Sequence, residues 1–120
     1  MSKVDSDLAP VPTYWKARLT HSKHRHYWAY TQSVGLEEIH FQSEQLLHER
    51  EKVLLQIQAI HNDDRKHLHI KGEVLSCILL SSGNMYGIDL KVLEMPDDDR
   101  EYLEQYLRSK HEVHLRFSSY

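Results

Sequence analysis

Three runs of alternating apolar and polar residues occupy the middle of the chain. In the first, Val53, Leu55, Ile57 and Ala59 recur with period two against Leu54, Gln56 and Gln58, the pattern of a half-buried strand. The turn-forming stretch His61-Asn62-Asp63-Asp64-Arg65 leads to the second, where Leu68, Ile70, Gly72, Val74, Ser76 and Ile78 alternate with His67, His69, Lys71, Glu73, Leu75 and Cys77. A strand of that length with a glycine at its middle is expected to bend or bulge at Gly72. Ser81-Ser82-Gly83-Asn84 turns the chain again, and Tyr86, Ile88, Leu90 and Val92 alternate beyond it. Three such runs joined by tight turns predict an antiparallel meander. Upstream, residues 27–41 read as strand, turn around Gln32 to Gly35, and strand, with Ile39 and Phe41 on one side; Leu46 and Leu47 fall in a short connection.

After Pro96 the period changes. Asp97 fits a helix N-cap, Asp98 and Asp99 place negative charge in the first turn, and Leu103, Tyr106 and Leu107 follow helical spacing. A helix of about three turns is expected, closing over the strands. Val113, Leu115 and Phe117 then alternate with His114 and Arg116, so residues 111–120 read as a tail or edge strand. Residues 1–13, with Pro10 and Pro12, read as a flexible lead-in, and 14–110 as the folded domain. The sum is a mainly β protein, a small antiparallel six-stranded barrel with a C-terminal helix, since closure protects short strands from exposed edges.

Composition adds limits. A chain of 120 residues with 40% hydrophobic and 28% charged content supports one core and excludes both a disordered chain and a membrane protein. The start, Met-Ser-Lys-Val-Asp-Ser-Asp, lacks a secretory apolar stretch, and Cys77 is the sole cysteine, so a cytoplasmic location without disulfides is expected. The net charge of -3 is unevenly spread. Between Asp7 and Glu37 there is no acid, whereas Lys16, Arg18, Lys23 and Arg25 fall there, so residues 8–36 carry +4 and the remainder -7. His21, His24, His26, Tyr14, Trp15, Tyr27, Trp28 and Tyr30 are interleaved with those cations. Such a stretch suits a phosphate-bearing ligand, through charge and ring stacking, or an arm that packs on its own domain.

Catalytic chemistry finds little footing. His24-Arg25-His26 and His67-Leu68-His69 have a metal-compatible spacing, but no Cys or acid stands at ligand distance along the chain, so no metal is expected. Cys77 sits in an apolar strand, where a free thiol is a small packing residue. No nucleophile elbow, phosphate-cradling glycine loop or carboxylate pair is present, and the chain is not expected to be an enzyme. Tyr102 and Tyr106 read as packing residues of the helix.

The segments Ile70-Lys71-Gly72-Glu73-Val74-Leu75, Met85-Tyr86-Gly87-Ile88-Asp89-Leu90 and Leu93 to Leu107, with its Asp98-Asp99-Arg100 helix opening, resemble the second half of a PilZ domain. Thr31-Gln32-Ser33-Val34-Gly35-Leu36, Ile39-His40-Phe41 and Glu51-Lys52-Val53-Leu54-Leu55 resemble its earlier strands, so the likeness covers roughly residues 27–107. It implies a barrel of split-barrel type and a bacterial receptor for cyclic di-GMP, held by an Arg-x-x-x-Arg element and an Asp/Asn-x-Ser-x-x-Gly element. No two arginines here are four apart; Lys3, Lys16, Arg18, Lys23 and Arg25 stand in their place. In the second element Ser33 matches, Thr31 replaces the acid or amide, and Gly35 comes one position early. The implied ligand set is therefore Arg18, Lys23, Arg25, Thr31, Ser33 and Gly35, with cyclic di-GMP as ligand, no cofactor, and a protein partner such as a pilus or flagellar component. Ligand would order the basic arm against the barrel. Two further readings stand beside this one: a degenerate adaptor working by protein contact alone, and a barrel binding single-stranded nucleic acid. The net charge of -3 speaks against the last, and neither nucleic acid nor membrane insertion is expected.

Overall fold

The computed structural model describes residues 8–21 and 25–118, the last six by their backbone alone. Strands β1 (Val11–Pro12), β2 (Lys16–His21), β3 (Arg25–Val34), β4 (Glu38–Ser43), β5 (Lys52–His61), β6 (Asp64–Leu79) and β7 (Tyr86–Glu94) precede the helix α1 (Asp97–Ser118). Their order is β1-β3-β2-β5-β6-β7-β4, and a β3–β4 pairing closes the ring, so β2 to β7 form a six-stranded antiparallel barrel with β1 as an extra strand.

The alternation places the core as expected. Leu55, Ile57, Leu68, Ile70, Ile88 and Leu90 point inward and are fully buried, joined by Leu19, Ile39 and Phe41. Asn62 and Asp63, both at positive φ (52° and 65°), make the two-residue β5–β6 turn, whose twist matches the flanking strands. The expected irregularity in β6 falls between Lys71 and Gly72, with a second between Val74 and Ser76. Gly72 is needed for packing: a Cβ there would lie 2.5 Å from Leu90 Cγ.

Three expectations are corrected. The basic stretch is no arm, because Lys16–His21 and Arg25–Val34 are paired barrel strands. Ala17 and Leu19 alternate inward between outward cations, and without β2 the facing edges of β3 and β5 would be left unpaired. Within the lead-in, residues 8–13 are also engaged. Val11 pairs with Val34, Thr13 N–H donates to the Gln32 carbonyl at 3.0 Å, and Pro12 sits on an edge strand, where its missing donor costs nothing. Finally, the helix is longer than three turns and runs to Ser118, where a tail or edge strand was expected. Val113 and Phe117, four apart, share a helical face that the period-two reading overlooked, and helix continuation satisfies the backbone internally.

The helix closes one barrel end. Leu103 and Leu107 are fully buried, and the Tyr106 ring lies 4.7 Å from Trp15 and edge-on to His61 at 5.2 Å. Arg100 N–H donates to the Pro96 carbonyl, so Asp97 belongs to the first turn and not to the cap. Asp99 is buried; it accepts the His69 backbone N–H at 2.9 Å and faces Lys66 Nζ at 3.2 Å, pinning the helix start to β6. The opposite end is closed by the 44–51 connection, from which Leu47 plugs the interior, its N–H directed at Cys77 Sγ.

Candidate functional site

The outer surface of β3, β2, β5 and β6 carries the cations that the sequence brings together. Register aligns Trp28, Arg18, Gln56 and His69 in one rung, and His26, Thr20, Leu54 and Lys71 in the next. Arg18 donates to Gln56 Oε1 at 2.9 Å, a neutral partner that leaves its charge uncompensated. Lys16 Nζ lies 4.0 Å over the Trp28 ring, and Tyr14 stacks on Tyr30 at 5.2 Å with an interplanar angle of 9°. Tyr14 is 77% exposed and Trp28 56%, so both rings reach solvent, with Tyr30 against one face of Tyr14 and Lys16 against one face of Trp28. The surface runs into a groove of about 890 Å³, lined among others by Leu54, His69, Lys71, Leu93, Met95 and Pro96.

The residues expected to hold the ligand do not converge. Arg18 points outward from β2, whereas Arg25, paired with His21, lies on the inward-facing parity of β3 at the rim. Lys23 and His24 lie outside the described residues. Thr31 is fully buried, and its hydroxyl accepts the Trp15 N–H at 2.8 Å and bonds to Thr13 Oγ1 at 2.6 Å, so it is a structural clasp. Ser33 follows a register shift and pairs with His40 on the far side of β3. Gly35 sits in the β3–β4 turn, where a Cβ would come within 3.2 Å of Pro10 Cγ.

Two polar clusters escaped the sequence reading because strand pairing over long separations builds them. On β4, β7 and β6, His40 Nδ1 contacts Asp89 Oδ1, Asp89 Oδ2 accepts from Ser76 Oγ at 2.9 Å, and His40 Nε2 lies 3.6 Å from Glu38 Oε1. β6 and β7 contribute one residue each and β4 two, Glu38 and His40, so local spacing gives no signal for the join between strands. At the barrel end closed by Leu47, Glu51 contacts His21 Nε2 and accepts the His48 N–H at 2.6 Å. Burial pushes the Glu51 carboxyl upward, but the His21 and His48 bonds outweigh it and hold it below its ordinary value. Elsewhere, hydrogen bonds that Lys66 donates to Asp98 and Asp99 push its ammonium upward, and burial does the same for the Tyr102 and Tyr106 phenols. His67 and His69 are exposed on β6, and no group of three metal-ligating side chains occurs among the described residues.

No known family model matches the sequence, and no curated protein does either. Solved structures do. The Bacillus subtilis inhibitor of motility MotI/DgrA aligns with a TM-score of 0.76 at 10% identity, over 87% of this chain and 50% of its own. The apo state of MrkH from K. pneumonia aligns with a TM-score of 0.65 at 12% identity, over 90% of this chain and 52% of its own. The barrel has a PilZ-like fold. The PilZ-like chain spans about half the length of each of these two structures. The residues expected to hold a ligand are divided between the outer face (Arg18), the rim (Arg25), the interior (Thr31), the far side of β3 (Ser33) and the β3–β4 turn (Gly35). Among the described residues, no helix is long and apolar enough to cross a membrane.

Proposed function

We propose that this chain is a PilZ-like signalling module that acts by contact with a protein partner and does not hold cyclic di-GMP through the residues at the family's motif positions. The observation that carries this reading is the dispersal of those residues. Arg18 and Arg25 leave opposite faces of one hairpin, and the Thr31 hydroxyl is spent on Trp15 and Thr13. Bidentate phosphate and guanine recognition needs guanidinium forks that converge. Losing one such pair, each bond worth ~1.5–3 kcal/mol, weakens binding by orders of magnitude. Protein contact is supported by the last part of β6, where Leu75, Ile78 and Leu79 are 40%, 63% and 54% exposed beside one another in sequence. The likeness to an inhibitor of motility makes a motility component the partner class to test first.

A second reading keeps the receptor role, because Arg18 beside Trp28 joins a charge to a stacking ring on one exposed rung. Isothermal titration with cyclic di-GMP separates the two. The adaptor reading expects no heat at micromolar protein and ligand; saturable heat that disappears in Arg18→Ala would establish the receptor.

A further inference from the structure

We infer that the outer face of β3, β2, β5 and β6 is a binding platform for single-stranded nucleic acid. This does not rest on the adaptor reading. Across the two rungs Trp28-Arg18-Gln56-His69 and His26-Thr20-Leu54-Lys71, and at the Lys16–Tyr30 pair beside them, no carboxylate points outward. Every other outward position there is cationic, aromatic, imidazole, amide, hydroxyl or aliphatic. Carboxylates border it: Glu94 opposite Lys71 on β7, Glu73 opposite Lys52, the Asp63-Asp64 turn beyond Arg65, Glu37 in the groove, Asp98 against Lys66, and buried Asp99, 3.4 Å from His69 Nδ1. No ion pair engages Lys16, Arg18, Arg65 or Lys71 among the described residues. The acidic residues behind the net charge of -3, which spoke against nucleic acid, thus lie off these rungs, at their edges and beyond.

Charge complementarity selects an anionic partner, and the rings narrow its class. Exposed Trp28 lies beside Lys16 and Arg18, and exposed Tyr14 stacks on Tyr30, which pairs with Lys16, an arrangement on which unpaired bases stack while phosphates meet the ammonium and guanidinium groups. A duplex keeps its base faces inside, and an acidic peptide has none to offer. Extent favours a polymer over a dinucleotide. Four strands span three gaps of about 4.8 Å, so the rung from Trp28 to His69 is about 14 Å across and continues into the groove. That matches a site of roughly four nucleotides or more.

The test uses the whole chain with a fluorescent single-stranded 12-mer of uridine, the corresponding RNA duplex, and anionic phospholipid vesicles. The expected result is micromolar binding of the single strand at 50 mM salt, weakening about fifty-fold at 200 mM if four phosphates are neutralised. Quenching should come from exposed Trp28, since Trp15 is buried. Arg18→Glu with Lys71→Glu should lower affinity at least tenfold, and Trp28→Ala should remove the preference for single strand over duplex. Circular dichroism melts show whether each variant keeps its fold. No binding of the 12-mer at 50 mM salt would overturn the inference, as would equal binding of duplex or vesicles, or unchanged affinity in the folded Arg18→Glu, Lys71→Glu variant. Cyclic di-GMP plays no part in these readouts, so they are independent of the titration that tests the adaptor reading.

Discussion

The two ends of the barrel are closed by different physics. At one end α1 buries Leu103, Tyr106 and Leu107, with Tyr106 against Trp15, a mainly apolar closure to which Asp99 adds a tie to Lys66 and the His69 N–H at the helix start. At the other, a short connection inserts only Leu47 and is tied down by Glu51, through His21 and the His48 N–H, and by backbone bonds from Arg50 and Val74. Just beyond that plug, β6 carries its exposed apolar residues into solvent. The difference teaches that one fold can hold a fixed end and a conditional end on the same strands.

Substitutions at each end measure that difference. Leu107→Ala should cost most, about 3–5 kcal/mol in urea unfolding, because a long helix cannot collapse into the cavity without losing Leu103 and Tyr106 as well. Leu47→Ala should cost about 2–3 kcal/mol, since a connection can settle into the space; equal losses at the two sites would erase the distinction. Glu51→Gln should cost about 1 kcal/mol at pH 7, since solvent screens this partly exposed contact. Because the Glu51 carboxyl is held below its ordinary 4.5, its contribution is complete above that value and disappears as pH falls through the lower folded pKa. Unfolding followed from pH 7 to pH 3 should therefore show a shallower acid decline in Glu51→Gln than in the parent, whereas Leu107→Ala should shift the whole curve without changing its slope. Ile78→Ser should change stability by no more than about 0.5 kcal/mol. The same substitution should abolish capture of a partner if the apolar end of β6 is the contact, which crosslinking of the two proteins would read.

Much of the fixed scaffold was legible because burial there follows a simple period. Val53 to Ala59 and Leu68 to Val74 alternate without interruption, and their pairing is joined by a turn of Asn62 and Asp63. What was misread depends on long-range pairing. Lys16 to His21 looks like a charged arm because only Ala17 and Leu19 mark its inner face, and both are modest in size. Thr31 looked like a ligand residue by its place in a motif, yet it shares inward parity with Tyr27 and Ala29, and that parity had announced a buried hydroxyl. The His40, Asp89 and Ser76 cluster had no local trace at all.

The strict alternation of β2 has a consequence for how this chain can vary. Lys16 and Arg18 face water while Ala17 and Leu19 face the core, and β2 is held on both sides by β3 and β5. Inserting a single residue there would exchange the two sets, burying charge and expelling the apolar pair. Changes of length are therefore confined to the connections between strands, and the spacing of the cations along this face is inherited as a fixed ruler.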